Sequence, residues 1–160
     1  MTDLTDLTGT GPGNPLDGPV IVTGGSSGLG AAVARALAAH GARPVVLDRR
    51  KPTDPDRIWI EVDLGDPQAA AQAVQEAALT VGPPAGVVTA AGIDACGRLD
   101  EVDLLDWAGV IAVNLVGTAA VVRAALPHLR RTRGRVVTVA STLGLRAVSD
   151  ATAYCASKFG

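Results

Sequence analysis

Aromatic side chains are almost missing from this chain. Trp59, Trp107, Tyr154 and Phe159 are the whole complement in 160 residues. A core without aromatics has to be filled by Ala, Val, Leu and Ile. Lysine is equally scarce, with Lys51 and Lys158 set against twelve arginines. The two cysteines, Cys96 and Cys155, are too few and too unpatterned for a disulfide framework or a zinc site, which fits a reducing cytoplasmic compartment. A net charge of -2 supplies no basic field for nucleic acid. The basic cluster Arg130-Arg131-Thr132-Arg133-Gly134-Arg135 is the solvated end of a helix and its loop. No purely apolar run approaches the length of a membrane span, and no basic-then-apolar signal segment opens the chain.

What is present is globular: 48% hydrophobic and 19% charged residues. Residues 1–18, rich in Thr, Gly, Pro and Asp, read as a flexible leader, and residues 19–160 are expected to form a single domain. Pro19–Thr23 is a β-branched run that ends at glycines, hence a buried strand. Gly28–His40 is a strong helix former closed by Gly41. Strands are expected at Pro44–Asp48, Arg57–Val62, Gly86–Ala90 and Arg135–Ala140. Asp66 as N-cap and Pro67 at the first position open a helix that reaches Thr80, and 104–131 is mostly helical. Apolar strands alternating with helices predict a Rossmann-like, doubly wound parallel sheet in a three-layer α/β/α fold.

The first strand runs into Thr23-Gly24-Gly25-Ser26-Ser27-Gly28-Leu29-Gly30, and a helix begins at once. Such a turn lets the backbone approach a pyrophosphate, and the helix N-terminus offers free N–H groups and partial positive charge. Eighteen residues past Gly30, Asp48 ends the second strand. A carboxylate there accepts hydrogen bonds from ribose hydroxyls and repels a 2′-phosphate, which favours NAD. Arg49 and Arg50 follow directly and leave NADP open.

Tyr154, the one tyrosine, stands four residues before Lys158. On a helix these positions share a face. A nearby cation favours the phenolate and draws its pKa down from about 10, as a general acid/base requires.

Taken together, these pieces resemble the short-chain dehydrogenase/reductase family over Pro19–Gly160. The resemblance rests on Thr23-Gly24-xxx-Gly28-x-Gly30, on Tyr154-xxx-Lys158, on Ser141 just past the fifth strand, and on Asn114 within a helix. It implies hydride transfer between a nicotinamide and a small-molecule carbonyl or secondary alcohol. Tyr154 would be the acid/base, Lys158 would hold the nicotinamide ribose, and Ser141 would bond the reacting oxygen. Asn114 would position a relay water. It further implies a cofactor crevice formed by Gly24, Ser26, Ser27, Gly28, Leu29, Gly30, Asp48 and Arg49, with Asp63 and Leu64 framing the adenine and Ala90, Ala91 and Gly92 alongside, and with Tyr154 and Lys158 reaching the cofactor. Homodimers or homotetramers are common in the family, and the turn leans toward members acting on lipophilic secondary alcohols such as hydroxyacyl thioesters. Structural alternatives stay open: Asn114 as a bridge, Asp63 as the cap of a turn, and Thr142 or Ser149 in place of Ser141.

Two departures stand out. Thr89 and Ala90 stand where the family carries an amide side chain, so a sheet-stabilising hydrogen bond is in question. The chain also stops two residues after Lys158, before a sixth strand, whereas family members are longer. A partial sequence or a truncated relative is expected, and with it a second reading: a dinucleotide-binding or oligomer-forming module without catalysis.

Overall fold

The computed structural model describes residues 18–160, so the expected leader lies outside the described residues except for Gly18. Five strands, β1 (Pro19–Thr23), β2 (Arg43–Asp48), β3 (Ile58–Glu61), β4 (Gly86–Thr89) and β5 (Arg135–Thr138), pair in parallel in the order β3-β2-β1-β4-β5. Each ends within two residues of its expected position. The helices are α1 (Gly28–Ala39), α2 (Pro67–Val81), α3 (Leu104–Ile111), α4 (Thr118–Thr132) and α5 (Thr152–Phe159). Between α3 and α4, Ala112–Gly117 winds as a π turn, so one continuous helix runs from Leu104 to Thr132.

Alternation along the strands divides the core into two layers. Val20, Val22, Val46 and Val88 face Ala34, Val33 and Leu37 of α1. On the opposite face Ile21, Val45, Leu47 and Val87 meet Ala70, Ala73, Val74 and Ala77 of α2 and Val121, Ala125 and Leu129 of α4. All of these are aliphatic, which is the core the scarcity of aromatics demands. Small alanines on α2 let it lie close to both the sheet and α4.

Helix ends follow local chemistry. The Asp66 carboxylate accepts from the N–H groups of Gln68 and Ala69, with Pro67 next in line. The long helix 104–132 has mean hydropathy 1.8 in its most apolar window and by length alone could cross a bilayer. Here Val110, Val121, Ala125 and Leu129 are spent on the core instead. The basic cluster is, as expected, a helix end: α4 stops at Thr132, Arg133 turns left-handed at φ 54°, and β5 starts at Arg135.

Strand order reverses between β1 and its two neighbours, since the chain leaves β1 for β2 on one side and later reaches β4 on the other. Such a switch point opens a crevice beyond the carboxyl ends of the strands.

Candidate active site

The crevice is about 270 Å³ and draws its walls from every strand end near the switch point. After β1 come Gly24, Ser27, Gly28, Leu29 and Gly30; after β2, Asp48, Arg49 and Arg50; after β3, Val62, Asp63 and Leu64; after β4, Ala90, Ala91, Gly92 and Ile93. Val113 from the π turn closes it.

The glycines of the first turn are there for close approach. A Cβ on Gly24 would lie 2.7 Å from the Ala91 Cα, and one on Gly30 would collide with the Gly24 carbonyl oxygen. This packing lets α1 start directly against the strand. Ser27 occupies the N-cap without a side-chain cap bond, and no acid stands in the first turn. The N–H groups of that turn are therefore left for an anion from outside. Ser26, although not on the crevice wall, ties the turn to the end of β2. Its N–H donates to Asp48 Oδ2 (3.1 Å) and its hydroxyl to the Arg50 carbonyl, while the Arg50 N–H donates to Asp48 Oδ1 (3.0 Å). Arg50 Nη2 in turn donates to Ser27 Oγ at 3.2 Å. Trp59 of β3 supports the same corner, its indole donating to the Asp48 carbonyl at 2.9 Å. Each Asp48 oxygen has capacity to accept a further bond, and Asp48 lines the crevice.

Arg49 pairs with Asp63 at 3.9 Å, with both side chains largely exposed. Asp63 Oδ1 also accepts from the Gly65 N–H at 2.9 Å, so it caps a turn as well as lining the crevice. The absent amide after β4 has a substitute: Thr23 Oγ1, buried in β1, accepts from the Ala91 N–H at 3.1 Å.

The second group of residues centres on α5. Lys158 Nζ stands 5.5 Å from the Tyr154 ring centroid and donates to the Val139 carbonyl at 3.0 Å. Burial pushes the Lys158 ammonium below the ordinary lysine value. Two of its three N–H donors remain free. Ser141 opens a short 3₁₀ turn, Thr142–Gly144, by accepting from the Leu143 N–H at 3.1 Å, which leaves its own O–H proton free to donate.

Asn114, buried in the π turn, joins the two groups. Its Oδ1 accepts from the Ile93 N–H (2.9 Å), and its Nδ2 donates to the Ile93 carbonyl (2.9 Å) and to Ser157 Oγ (3.0 Å). The Ser157 hydroxyl in turn donates to the Tyr154 main-chain carbonyl at 2.8 Å. Both amide protons of Asn114 are thus engaged inside the protein, so the bridging role is the one its side chain performs. Tyr154, Lys158, Ser141 and Asn114 are not on the crevice wall; of the four, Asn114 bonds directly to a wall residue, Ile93.

Sequence reasoning did not find Val62, Ile93 and Val113 as crevice residues, nor Thr23 and Ser157 as braces. The apolar three carry no chemical mark, and the two hydroxyl residues act through partners distant in sequence. Cys155 is buried in α5 as a small apolar group. His40 and His128 bond locally, to the Ala36 carbonyl and to Gln75, away from the site.

Comparison with known proteins gives this arrangement a context. The family described as short chain dehydrogenase matches residues 19–160. The meso-2,3-butanediol dehydrogenase of Serratia marcescens is 31% identical over 149 residues, covering 87% of this chain and 59% of its own length. The D-threitol dehydrogenase of Mycolicibacterium smegmatis is 35% identical over 161 residues, covering 91% and 61%. Among solved structures, the ligand-free aldohexose dehydrogenase of Thermoplasma acidophilum superposes with a TM-score of 0.86 at 28% identity, over 93% of this chain and 59% of that one. The chain therefore spans about three fifths of the length of the curated relatives it matches.

Proposed function

Because the chain belongs to the short-chain dehydrogenase family, we propose that it serves as the cofactor-binding and catalytic part of an oxidoreductase that interconverts a secondary alcohol and a carbonyl. When bound, the nicotinamide ring would supply or accept the hydride. The pyrophosphate would rest on the uncapped first turn of α1, and the adenosine ribose would bond the Asp48 carboxylate. That carboxylate favours NAD; Arg49 and Arg50 on the same wall keep NADP within reach. Asp63 and Leu64 would border the adenine.

Tyr154 would pass a proton to or from the substrate oxygen, and Ser141 would donate its free O–H proton to that oxygen. Lys158 has two donors left for the nicotinamide ribose hydroxyls. The side chain of Asn114 braces α5, and the relay water is left to its main-chain carbonyl in the π turn, where regular helical bonding is broken. The relatives named for a diol, a tetritol and an aldohexose favour a small hydroxylated substrate over the lipophilic one suggested by the turn alone.

The observation that carries the proposal is the hydrogen-bonded bridge from Ile93 on the crevice wall through Asn114 and Ser157 to the main-chain carbonyl of Tyr154, which ties the helix bearing the tyrosine to the crevice. The test is Tyr154→Phe. Turnover of NAD with a panel of small diols and polyols should fall on the order of 100-fold to 10,000-fold, the usual range for losing a general acid/base. NADH binding measured by calorimetry should persist. Unchanged turnover in the variant would remove Tyr154 from the mechanism. Binding without turnover in the unaltered chain would favour the second reading, a dinucleotide-binding module.

A further inference from the structure

Helix α5 is only eight residues long and begins badly. Ala151 sits at its N-cap and has no side chain that could accept from the first turn. Asp150, just before it, is left-handed at φ 60°, a conformation that a non-glycine residue keeps only when its surroundings hold it there. A helix of this length is marginal in water unless packing fixes it. By contrast α3 is firmly begun: the Asp103 carboxylate accepts from the N–H groups of Leu105 and Asp106. Trp107 belongs to that capped turn, its N–H donating to the Asp103 carbonyl at 2.9 Å. Its half-buried indole Nε1 donates to the Thr152 hydroxyl at 3.1 Å. Thr152 is the first residue of α5 and lies two positions before Tyr154.

We infer that Trp107 and Thr152 form a positioning pair for Tyr154, in which the capped turn of α3 anchors the start of α5, a helix with no side-chain cap of its own. The inference rests on the proposed dehydrogenase reading for its catalytic consequence. The helix is pinned at three side-chain points. Near its end Ser157 is fixed to Asn114 and Lys158 to the Val139 carbonyl, and at its start Thr152 is fixed to Trp107. The Gly97 N–H, donating to the Asp150 carbonyl at 2.8 Å, steadies the approach. Without the indole bond the start of the helix is free to pivot about its anchors at Ser157 and Lys158, and the phenol swings with it. Misplacing a reacting group by about 1 Å costs on the order of 100-fold in rate. Neither residue touches the crevice, so cofactor binding should be left alone.

The test uses the full chain with Trp107→Phe, Thr152→Val, Thr152→Ser and the Phe/Val double variant. Valine keeps the volume of threonine and loses the hydroxyl; serine keeps the hydroxyl and loses a methyl. Trp107→Phe and Thr152→Val should each lower kcat about tenfold, with KM for the cofactor within about twofold. The double variant should be no worse than the worse single one, because both remove the same bond. Thr152→Ser should stay within about twofold of the parent. Wild-type kcat in Thr152→Val, or a Thr152→Ser variant as impaired as Thr152→Val, would overturn the inference. Because Tyr154 is the one tyrosine, its ¹³C-labelled ring gives a single NMR signal that needs no turnover. That signal should move in Trp107→Phe and Thr152→Val and hold in Thr152→Ser; a signal that stays put in all variants also overturns the inference. Should the parent turn over no alcohol or carbonyl with either cofactor, the dehydrogenase reading fails, and the tyrosine signal alone decides the positioning role.

Discussion

The amide of Asn114 donates to the hydroxyl of Ser157 at 3.0 Å, so a single buried bond ties the π turn of the long helix to the helix that carries Tyr154. The same amide holds both backbone groups of Ile93. Asn114→Ala removes three hydrogen bonds at once, two to the Ile93 backbone and one to the buried Ser157 hydroxyl, each worth roughly 0.5–1.5 kcal/mol. The variant should unfold at lower urea, with a loss of about 2 kcal/mol or more. A loss below about 0.5 kcal/mol would mean that the network is decorative.

Asp48 carries the proposed preference for NAD. Its two oxygens already accept from the Ser26 and Arg50 N–H groups, which fixes the carboxylate at the crevice wall. Asp48→Asn keeps one acceptor oxygen and removes the charge. NAD should bind about tenfold more weakly, the scale of a lost hydrogen bond to a charged group, while NADP affinity holds or improves. Titration calorimetry with both cofactors decides it, and equal weakening of the two would take Asp48 out of the selection.

Lys158 makes stability depend on pH in a definite sense. Burial lowers its pKa in the folded chain, whereas the unfolded chain keeps the ordinary value of about 10.4. Between those two values the unfolded chain holds more protons, so this residue's contribution to stability rises with pH across that window and falls as pH drops back through it. Relative to Lys158→Met, the parent should therefore gain stability as pH climbs from 7 toward about 10. Urea midpoints of the two proteins across that range give the sign, and a shift in favour of the methionine variant would contradict it.

Cys96 is exposed, yet it should react slowly. Its thiol donates to Asp94 Oδ2 at 3.1 Å, and that bond, with the carboxylate charge behind it, raises the thiol pKa. Alkylation depends on the thiolate. Iodoacetamide at pH 8 should label Cys96 more slowly than a free cysteine peptide, and Asp94→Asn should speed it several-fold. Mass spectrometry separates it from the buried Cys155, and identical rates in parent and variant would remove Asp94 as the cause.

Much of this architecture could be read from the chain because its causes are local. Asp66 and Pro67 start α2 by side-chain chemistry within three residues, and β-branched runs ending at glycine or an acid mark β1 and β2 with little ambiguity. The glycine turn and Asp48 were legible from their place at the strand ends, whereas the other crevice residues up to Gly92 came only through the resemblance to the short-chain dehydrogenases. The braces came by neither route. Thr23 reaches Ala91, Trp107 reaches Thr152, and Trp59 reaches back to Asp48, each across a separation that only the folded sheet closes. The π turn was hidden for a different reason: its extra residue is a matter of helical register, and no side chain in Ala112–Gly117 announces it.

The pairing of β1 with β4 has a kinetic meaning. Thr23 and Ala91 are 68 positions apart, and their bond exists only once the chain has come back across the sheet. Closing so long a loop before any reward is collected makes parallel pairing slow. The crevice, and with it the proposed cofactor site, should accordingly be among the last parts to mature during refolding, so that regained NADH fluorescence enhancement lags behind regained helical circular dichroism.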